Sequence, residues 1–349
     1  MKKRKTTIHD IANELDITAS TVSRALQDHP RISDSTKEAV IEMAEKLHYQ
    51  PNNIAAALRK GESNIIGVII PRTNRNFFAS VIRGIDEVAH KAGYQVIISQ
   101  SNDSTSKEKS SITTLLEARV DGILASYALN TREFDHYKEI IDRDVPLILF
   151  DRLHETLESF QAEAVVVDDY LGAFKATRHL IEQGCKKIAH FSGPQHVSIY
   201  KERRRGYEEA LKRNNLPVDE NLIFESNVKL EAGRELGNKL MTLDELPDAI
   251  FSASDYAAAG AMEVLKEKGV NIPEDIAIVG FSNEPFTSFI KLTTIDQHPE
   301  EMGQIAAQLF LDHIDEKEED TTVHAKSKTV LNPELIIRDS SVKQKEKEL

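Results

Sequence analysis

The residues with the most distinctive chemistry lie near the amino terminus, on one face of a predicted helix. Thr18 can cap this helix, and Val22, Ala25 and Leu26 share its apolar face. At about 100° per residue, the opposite face carries Ala19, Ser20, Ser23, Arg24 and Gln27. Small side chains let a helix enter the major groove of DNA, and an arginine can donate two hydrogen bonds to a guanine edge. The same face could instead be the polar surface of an ordinary three-helix bundle, and spacing alone does not decide between the two.

Two further helices are predicted on either side of this segment. The first has apolar residues at helical spacing and follows Thr7, which forms a near capping box with Asp10: Ile8, Ile11, Ala12 and Leu15. The third begins at Ser33 and has its own apolar stripe: Val40, Met43, Ala44 and Leu47. Two short helices joined by a tight turn, with a third closing the core, form a helix-turn-helix unit.

The order of residues in this segment resembles the headpiece of the LacI/GalR family of bacterial transcription regulators. The similar stretches are Thr7-Ile8-His9-Asp10-Ile11-Ala12, Ile17-Thr18-Ala19-Ser20-Thr21-Val22-Ser23-Arg24-Ala25-Leu26, Tyr49-Gln50-Pro51-Asn52 and Ile54-Ala55-Ala56-Ala57-Leu58-Arg59. They follow one another without a gap, which makes this a far more specific signal than a generic helix-turn-helix pattern.

The resemblance implies a DNA-binding role for particular side chains. Base contacts are expected from Ala19, Ser20 and Arg24. Phosphate contacts are expected from Thr18, Thr21, Ser23 and Tyr49, and Thr7 is assigned to the same surface. Leu58 matches the leucine that wedges into the central minor-groove step and kinks the DNA, with Arg59 beside it. Ala56 and Ala57 depart from the more polar residues common there in the family.

Residues 52–61 are predicted to form a hinge helix, capped by Asn52 or Asn53 and ended by Gly61. An isolated helix shorter than about 12 residues is marginal in water. We therefore expect the hinge to fold on the DNA operator, so that separating two hinges would weaken binding.

The remainder of the chain alternates apolar runs with amphipathic stretches, which is typical of parallel sheets. Strands are predicted at 65–70, 95–99, 122–125, 147–150, 164–167, 188–191, 222–225, 249–251 and 277–281. Helices are predicted between the strands, for example at 78–92, 170–182, 200–214, 230–241, 256–268 and 300–314. This number of strands suits two doubly wound sheets, with a ligand cleft at the strand carboxyl ends.

Charge is unevenly distributed along the 349 residues. The net charge of −13 argues against nucleic-acid binding when it is averaged over the chain. Residues 1–60, however, contain 10 Lys and Arg against 8 Asp and Glu, so this part is +2 and the rest is −15. The step in charge indicates a domain boundary near residue 60.

Cys185 is the single cysteine of the chain and is interpreted as structural. A single cysteine excludes a multi-cysteine zinc site. The chain shows neither a signal peptide nor a transmembrane run, so a cytoplasmic protein is expected.

Enzymatic motifs are absent from the sequence. We find no G-x-G-x-x-G after the first strand, phosphate loop, H-E-x-x-H or G-x-S-x-G, and the histidines are scattered. The chain is therefore predicted not to be an enzyme and to need neither a metal nor a cofactor.

The family resemblance extends through the core to about residue 338, in stretches such as Phe150-Asp151-Arg152 and Ile278-Val279-Gly280-Phe281-Ser282-Asn283. It implies a periplasmic-binding-protein-like core whose cleft binds an effector through Phe77, Phe78, Asp151, Tyr200, Arg203, Asp255, Ser282 and Asn283. Carboxylates and arginine bind sugar hydroxyls, and an aromatic ring covers an apolar sugar face. The two phenylalanines could instead be core residues, and Asp255 could instead cap the next helix.

Ser282 stands where many relatives have an aspartate that binds the ligand. This departure would leave the charge of Arg203 less compensated, so a sugar acid remains a candidate effector beside a neutral mono- or oligosaccharide.

The sequence therefore predicts an α/β protein: a helix-turn-helix headpiece followed by a two-lobed core of doubly wound parallel sheets. The predicted function is a homodimeric regulator, most simply a repressor, that binds a near-palindromic double-stranded DNA operator under control of a carbohydrate effector. The alternative is a cytoplasmic sugar-binding or sugar-processing protein with a vestigial headpiece.

The predicted domain boundaries follow from the charge distribution, the motifs and the family resemblance. Residues 1–51 form the headpiece, 52–61 the hinge, 62–341 the core and 342–349 a disordered tail. Within the core, the first lobe comprises 62–167 and 299–327, and the second lobe comprises 168–298 and 328–341.

Overall fold

The computed structural model describes residues 6–49, 63–160, 162–318 and 328–343, without the side chains of 316–318. The chain divides into two compact units, residues 1–63 and 64–349. The predicted hinge helix, with Leu58 and Arg59, lies outside the described residues, as does the predicted tail beyond residue 343.

Three helices make up the described part of the first unit: α1 (Ile8–Leu15), α2 (Ala19–Leu26) and α3 (Asp34–Lys46). Their first turns are held as the sequence predicts. Thr7 and Asp10 form a capping box at α1, and the side chains of Thr18 and Ser33 accept backbone N–H bonds at α2 and α3. The helices enclose a small core of Ile11, Ala12, Val22, Ala25, Val40 and Ala44. The capping residues and the apolar stripes together define the helix-turn-helix unit.

The first lobe of the second unit is built on a parallel sheet. Its strands are β1 (Ile65–Ile70), β2 (Gln95–Gln100), β3 (Gly122–Ala125), β4 (Leu147–Phe150) and β5 (Glu163–Val167). The helices between them are α4 (Asn76–Lys91), α5 (Thr105–Glu117), α6 (Lys138–Asp142) and α7 (Glu155–Ser159). The strand run Ile65–Ile70 is almost entirely buried, as expected for a strand covered on both faces.

The second lobe repeats this plan with a four-stranded parallel sheet in the order β7-β6-β8-β9. Its strands are β6 (Ile188–Ser192), β7 (Ile223–Glu225), β8 (Ala249–Ser252) and β9 (Ala277–Val279). Its helices are α8 (Asp169–Glu182), α9 (Ser198–Arg213), α10 (Leu230–Leu240) and α11 (Asp255–Glu267). Two doubly wound parallel sheets are thus confirmed.

The last segments connect the lobes again, and they correct one predicted boundary. They are α12 (Phe286–Phe289), β10 (Thr294–Asp296), α13 (Pro299–Glu318), β11 (Lys328–Leu331) and β12 (Glu334–Ile336). Helix α13 packs on α4, and β11 pairs in parallel with β5, which completes the first sheet in the order β11-β5-β4-β3-β1-β2. Residues 328–331 therefore belong to the first lobe, not to the second as predicted. The chain then returns to the second lobe, where β12 pairs with β10 and Ser340 donates to the carbonyl of Ile278 on β9.

Candidate functional site

In the headpiece, α2 presents a small polar surface because its apolar side is used for the core. Val22 and Ala25 are buried, whereas Thr18, Ser20 and Arg24 are exposed and Ala19, Thr21 and Ser23 are partly so. The Thr18 hydroxyl lies 2.8 Å from that of Ser20 and 2.9 Å from that of Thr21. These hydroxyls surround the amino terminus of α2, whose partial positive charge favours an anion such as phosphate.

Arg24 follows one turn after these hydroxyls on the same helix. In the described part of the chain, no carboxylate lies within 4.0 Å of its guanidinium, so its donors remain available to a partner. Thr7 and Tyr49 are partly buried: Thr7 donates to Asp10 over 2.8 Å, and the backbone of Tyr49 donates to Ala44. The predicted contacts of Leu58 and Arg59 lie outside the described residues.

The second unit contains a cavity of about 270 Å³ between its two lobes. Its walls come from loops at the carboxyl ends of strands and from the helices that follow them, as expected for open parallel sheets. The cavity includes six of the eight predicted effector residues: Phe77, Phe78, Asp151, Tyr200, Arg203 and Ser282.

Arg203 is buried and fully oriented by the second lobe. Its Nε donates to Asp169 over 2.7 Å, Nη1 donates to the carbonyl of Ala253 over 2.8 Å, and Nη2 donates to Gln297 over 3.1 Å. The guanidinium also lies 3.7 Å from the centre of the Phe281 ring. Arg203 thus has a carboxylate partner in Asp169 in place of the one that Ser282 lacks, and burial raises the pKa of Asp169 to about 7.

Asp151 directly follows β4 and faces the cavity from the first lobe. Its carboxylate accepts a hydrogen bond of 3.0 Å from Ser126, and the Nε of Arg152 lies 3.6 Å away. Burial raises the pKa of Asp151 above its usual value, against the influence of Arg152. Asp151 is held at φ 66°, a left-handed conformation in which aspartate is less disfavoured than most residues.

Phe77 and Phe78 open helix α4 and pack edge to face, with ring centres 5.1 Å apart. Both are buried in the first-lobe core, and both also line the cavity. The two interpretations left open by the sequence are therefore compatible, since each ring contributes to the core and to the wall.

Asp255 and Asn283 do not line this cavity, which corrects two of the predicted positions. Asp255 is completely buried and accepts hydrogen bonds from the backbone of Glu284 (2.9 Å) and the hydroxyl of Thr294 (2.6 Å). It is not the cap of α11 either, because that role falls to Ser254. Asn283 is turned away toward Asp296 and Arg338. Both residues hold the loop after β9 that carries Ser282.

Several residues that line the cavity were not predicted from the sequence. Asp103 accepts from Arg72 (2.5 Å), Arg152 (3.2 Å) and the backbone of Leu129 (3.0 Å). Burial would raise the pKa of Asp103, but the charge of Arg152 and these hydrogen bonds bring it below its usual value. Arg72 and Asp103 closely follow β1 and β2, so their positions at strand carboxyl ends could have indicated them.

Charged residues also reach the cavity from the starts of helices. Arg75, Lys229 and Glu284 line it, and the guanidinium of Arg75 lies 3.7 Å from the ring centre of Tyr256.

Among the described residues, no group of three or more His, Cys, Asp or Glu could hold a metal ion. In the same part of the chain, no helix has the length and apolarity needed to cross a membrane.

Comparison with known proteins identifies both parts of the chain. Residues 7–52 match the model of bacterial regulatory proteins of the lacI family, and residues 177–341 match that of the periplasmic binding protein-like domain. Catabolite control protein A of Priestia megaterium is 32% identical over 320 residues, which are 91% of this chain and 95% of that protein. The transcriptional repressor PurR of Vibrio atlanticus is 31% identical over 338 residues, 96% of this chain and 98% of that protein.

Solved structures show the same architecture. The complex of the transcriptional regulator CelR with cellobiose has a TM-score of 0.72 and 26% identity, and covers 96% of this chain and 100% of that one. The Lac repressor dimer bound to operator and an anti-inducer has a TM-score of 0.83 over 97% of this chain and 100% of that one. Its identity of 23% supports the fold alone.

Proposed function

This chain belongs to the LacI family of bacterial regulatory proteins, and from that premise we propose that it is an effector-controlled repressor. It binds a near-palindromic DNA operator through two headpieces. A sugar or sugar acid in the cavity between the core lobes sets its affinity for that operator. The protein thus acts in the bacterial cytoplasm, where the DNA is, and has no catalytic activity, in line with its regulator relatives.

The observation that carries this proposal is the exposed surface of α2. A buried apolar side fixes the helix, while Ser20 and Arg24 face solvent beside the hydroxyls of Thr18 and Thr21. Hydroxyls and a helix amino terminus are suited to phosphates, and a free arginine is suited to a guanine edge. Ala19 has no polar side chain and serves by allowing close approach, and Ser23, Thr7 and Tyr49 border this surface.

The chemistry of the cavity supports a carbohydrate effector. Asp151 and Arg203 offer an acceptor and a donor from opposite lobes, and Phe77, Phe78 and Tyr200 supply aromatic surface. The regulator CelR has been solved with cellobiose, and a LacI-family regulator from Enterococcus faecium, 26% identical with a TM-score of 0.69, with ribose. Because the cavity has walls from both lobes, a ligand there changes lobe closure and can favour one of two states.

Exposed apolar side chains support a homodimer. Strand β2 is at the edge of the first sheet and exposes Ile97 (40%) and Ile98 (47%), while Phe289 on α12 is 84% exposed. Apolar surface of this kind marks interaction sites. The Lac repressor structure is described as a dimer, and two headpieces explain why the operator should be near-palindromic.

Enrichment of DNA duplexes from a random pool by the purified full-length protein tests this function. We expect a near-palindromic sequence to be enriched, with binding that weakens as salt rises because phosphate contacts release counterions. Recovery of no sequence above the random background would contradict the proposal and favour a sugar-binding protein with an inactive headpiece.

A further inference from the structure

Cationic side chains outnumber carboxylates around the cavity between the lobes. The cations that line it are Arg72, Arg75, Arg152, Arg203 and Lys229, and the carboxylates are Asp103, Asp151 and Glu284. A neutral sugar needs a mixture of donors and acceptors but no surplus of either charge. The question is therefore which of these cations the protein itself neutralises.

Three of the five arginine and lysine side chains already have carboxylate partners. Arg72 and Arg152 share Asp103, with N–O distances of 2.5 Å and 3.2 Å. Arg203 is paired with Asp169 just outside the cavity wall, at 2.7 Å. These three cations therefore have a carboxylate within hydrogen-bonding distance before any ligand enters.

Arg75 and Lys229 differ from the other three. Within the described residues, neither has a carboxylate within 4.0 Å, and both are only partly buried. The charge of Arg75 does act on Glu284, but that carboxylate is 4% exposed and accepts from the backbone N–H of Asn76 over 3.2 Å. Burial raises the pKa of Glu284, and one of its carboxylate oxygens is already engaged by this backbone N–H.

Arg75 and Lys229 approach the cavity from opposite lobes. Arg75 stands at the N-cap of α4 in the first lobe, and Lys229 stands at the N-cap of α10 in the second. Because both residues line the same cavity, two cationic side chains face it together.

We propose that the effector is an anionic sugar, a sugar carboxylate or sugar phosphate, whose charged group is bound by Arg75 and Lys229 across the cleft. This inference rests on the proposed effector-controlled function and specifies the chemical class of its ligand. The sugar hydroxyls are then bound by Asp151 and Arg203, which leaves the anion to pull the first lobe toward the second.

Matched ligand sets test the charge requirement on the full-length protein. Two sets contain a neutral sugar with its acids and its phosphate ester: glucose, glucuronate, gluconate and glucose 6-phosphate; and galactose, galacturonate and galactose 1-phosphate. Ribose and ribose 5-phosphate form a third, neutral–phosphate pair. We expect at least one charged member, and not its neutral parent, to raise the unfolding temperature. Its affinity by calorimetry should fall as ionic strength rises, because screening weakens charge pairing. Carboxylate and phosphate members of a set distinguish the two anions.

Two substitutions locate the anion site. Arg75→Gln and Lys229→Gln should each lower the affinity for the charged ligand by about tenfold or more, as expected for one lost charge-assisted hydrogen bond. Arg132→Gln and Lys201→Gln remove exposed cations that do not line the cavity and should leave that affinity unchanged. The unfolding temperature of each variant without ligand reports whether its fold is intact.

The inference fails if neutral sugars stabilise the protein as well as charged ones, if no charged member stabilises it, or if both glutamine variants keep the parent affinity. Sequence-specific DNA binding is measured without any sugar. A protein that binds an enriched duplex and is released by a neutral sugar would overturn the anion site alone, and the proposed repressor function would stand.

Discussion

Arg203 donates to Asp169, Ala253 and Gln297, which lie 34, 50 and 94 residues away in the chain. Its position at the cleft was predictable from the resemblance, but its hydrogen-bond partners were not, because they come from three separate parts of the chain. The same holds for Asp255, whose acceptors are occupied by residues 29 and 39 positions further on. Residue type and position in a motif indicate a site, whereas the direction of a buried side chain depends on contacts distant in sequence.

Arg24→Ala should lower operator affinity by about 1–3 kcal/mol and relax specificity at one base pair in each half-site. The reason is that the exposed guanidinium has no carboxylate partner in the described headpiece and is free to donate to a base. Band shifts with the enriched duplex and its single-base variants measure both effects.

Lys46→Ala, at an exposed position in the last turn of α3, is the matched control. It should leave the base preference unaltered. An Arg24→Ala protein that weakens equally on every duplex would show that Arg24 contacts phosphate and not a base.

Asp255→Asn should change how stability depends on pH more than stability itself. Burial raises the pKa of Asp255 to about 7, so the folded protein holds a proton that the unfolded chain releases near its usual pKa of 3.8. Stability from this group is therefore present at low pH and is lost as pH rises toward about 7. An asparagine can accept from Glu284 and donate to Thr294, as a protonated aspartate would.

Urea unfolding across this pH range measures the effect. In the parent, this group should lower the free energy of unfolding by up to about 1.4 kcal/mol for each pH unit between pH 4 and 7. The variant should lack this part of the pH dependence. Asp142→Asn, at an exposed position that ends α6, is the control and should follow the parent curve. Identical curves for parent and Asp255→Asn would show that Asp255 is charged in the fold.

At the scale of elements, the strands predicted from apolar runs form because parallel strands are covered on both faces and need continuous apolar sequence. Strand β11 lacks that signature: Lys328 and Val330 are exposed, and its pairing with β5 joins residues more than 160 positions apart. Its lobe was therefore predicted wrongly. The bounds of helix α5 (Thr105–Glu117) were not predicted, because its Ser- and Thr-rich first turns give little apolar periodicity.

Two glycines on α10 allow the effect of close helix packing to be distinguished from the effect of helix propensity. An added methyl at Gly233 would lie 2.1 Å from the backbone oxygen of Ala257 on α11, whereas at Gly237 its nearest neighbour is a side-chain atom of Val264 at 3.2 Å. Gly233→Ala should cost about 1–3 kcal/mol of unfolding free energy because the helices must separate. Gly237→Ala should be neutral or stabilise by up to about 1 kcal/mol.

Denaturant unfolding of the two variants in parallel tests this contrast. Similar losses in both proteins would mean that α10 and α11 approach each other less closely than the geometry of Gly233 indicates.

For the whole molecule, the resemblance predicted the division into a DNA-binding unit and a two-lobed sensor, because both parts have characteristic sequence patterns. The sequence predicted an incompletely compensated cation in the cleft at Arg203, but it did not indicate Arg75 and Lys229, since these residues come from opposite lobes and meet only in the fold. The negative net charge of the chain likewise gave no indication of a cation-rich cleft.

Phe289→Ser should convert the proposed homodimer to monomers and weaken operator binding, while leaving the unfolding of the monomer unchanged. The side chain is 84% exposed and so contributes little to its own subunit. Sedimentation velocity of the variant against Ile337→Ser, which removes another exposed apolar side chain (54%), provides the comparison. A dimer of unchanged stability would place the subunit interface elsewhere.

The most direct test of an effector-controlled repressor is the affinity of the full-length protein for its enriched duplex, with and without the ligand that most raises its unfolding temperature. Coupling of about 1 kcal/mol or more would change the Kd for DNA by at least about fivefold. The duplex should change the affinity for the ligand by the same factor, since coupling between two binding sites is reciprocal. A ligand that saturates the cavity and leaves the Kd for DNA unchanged would contradict the account.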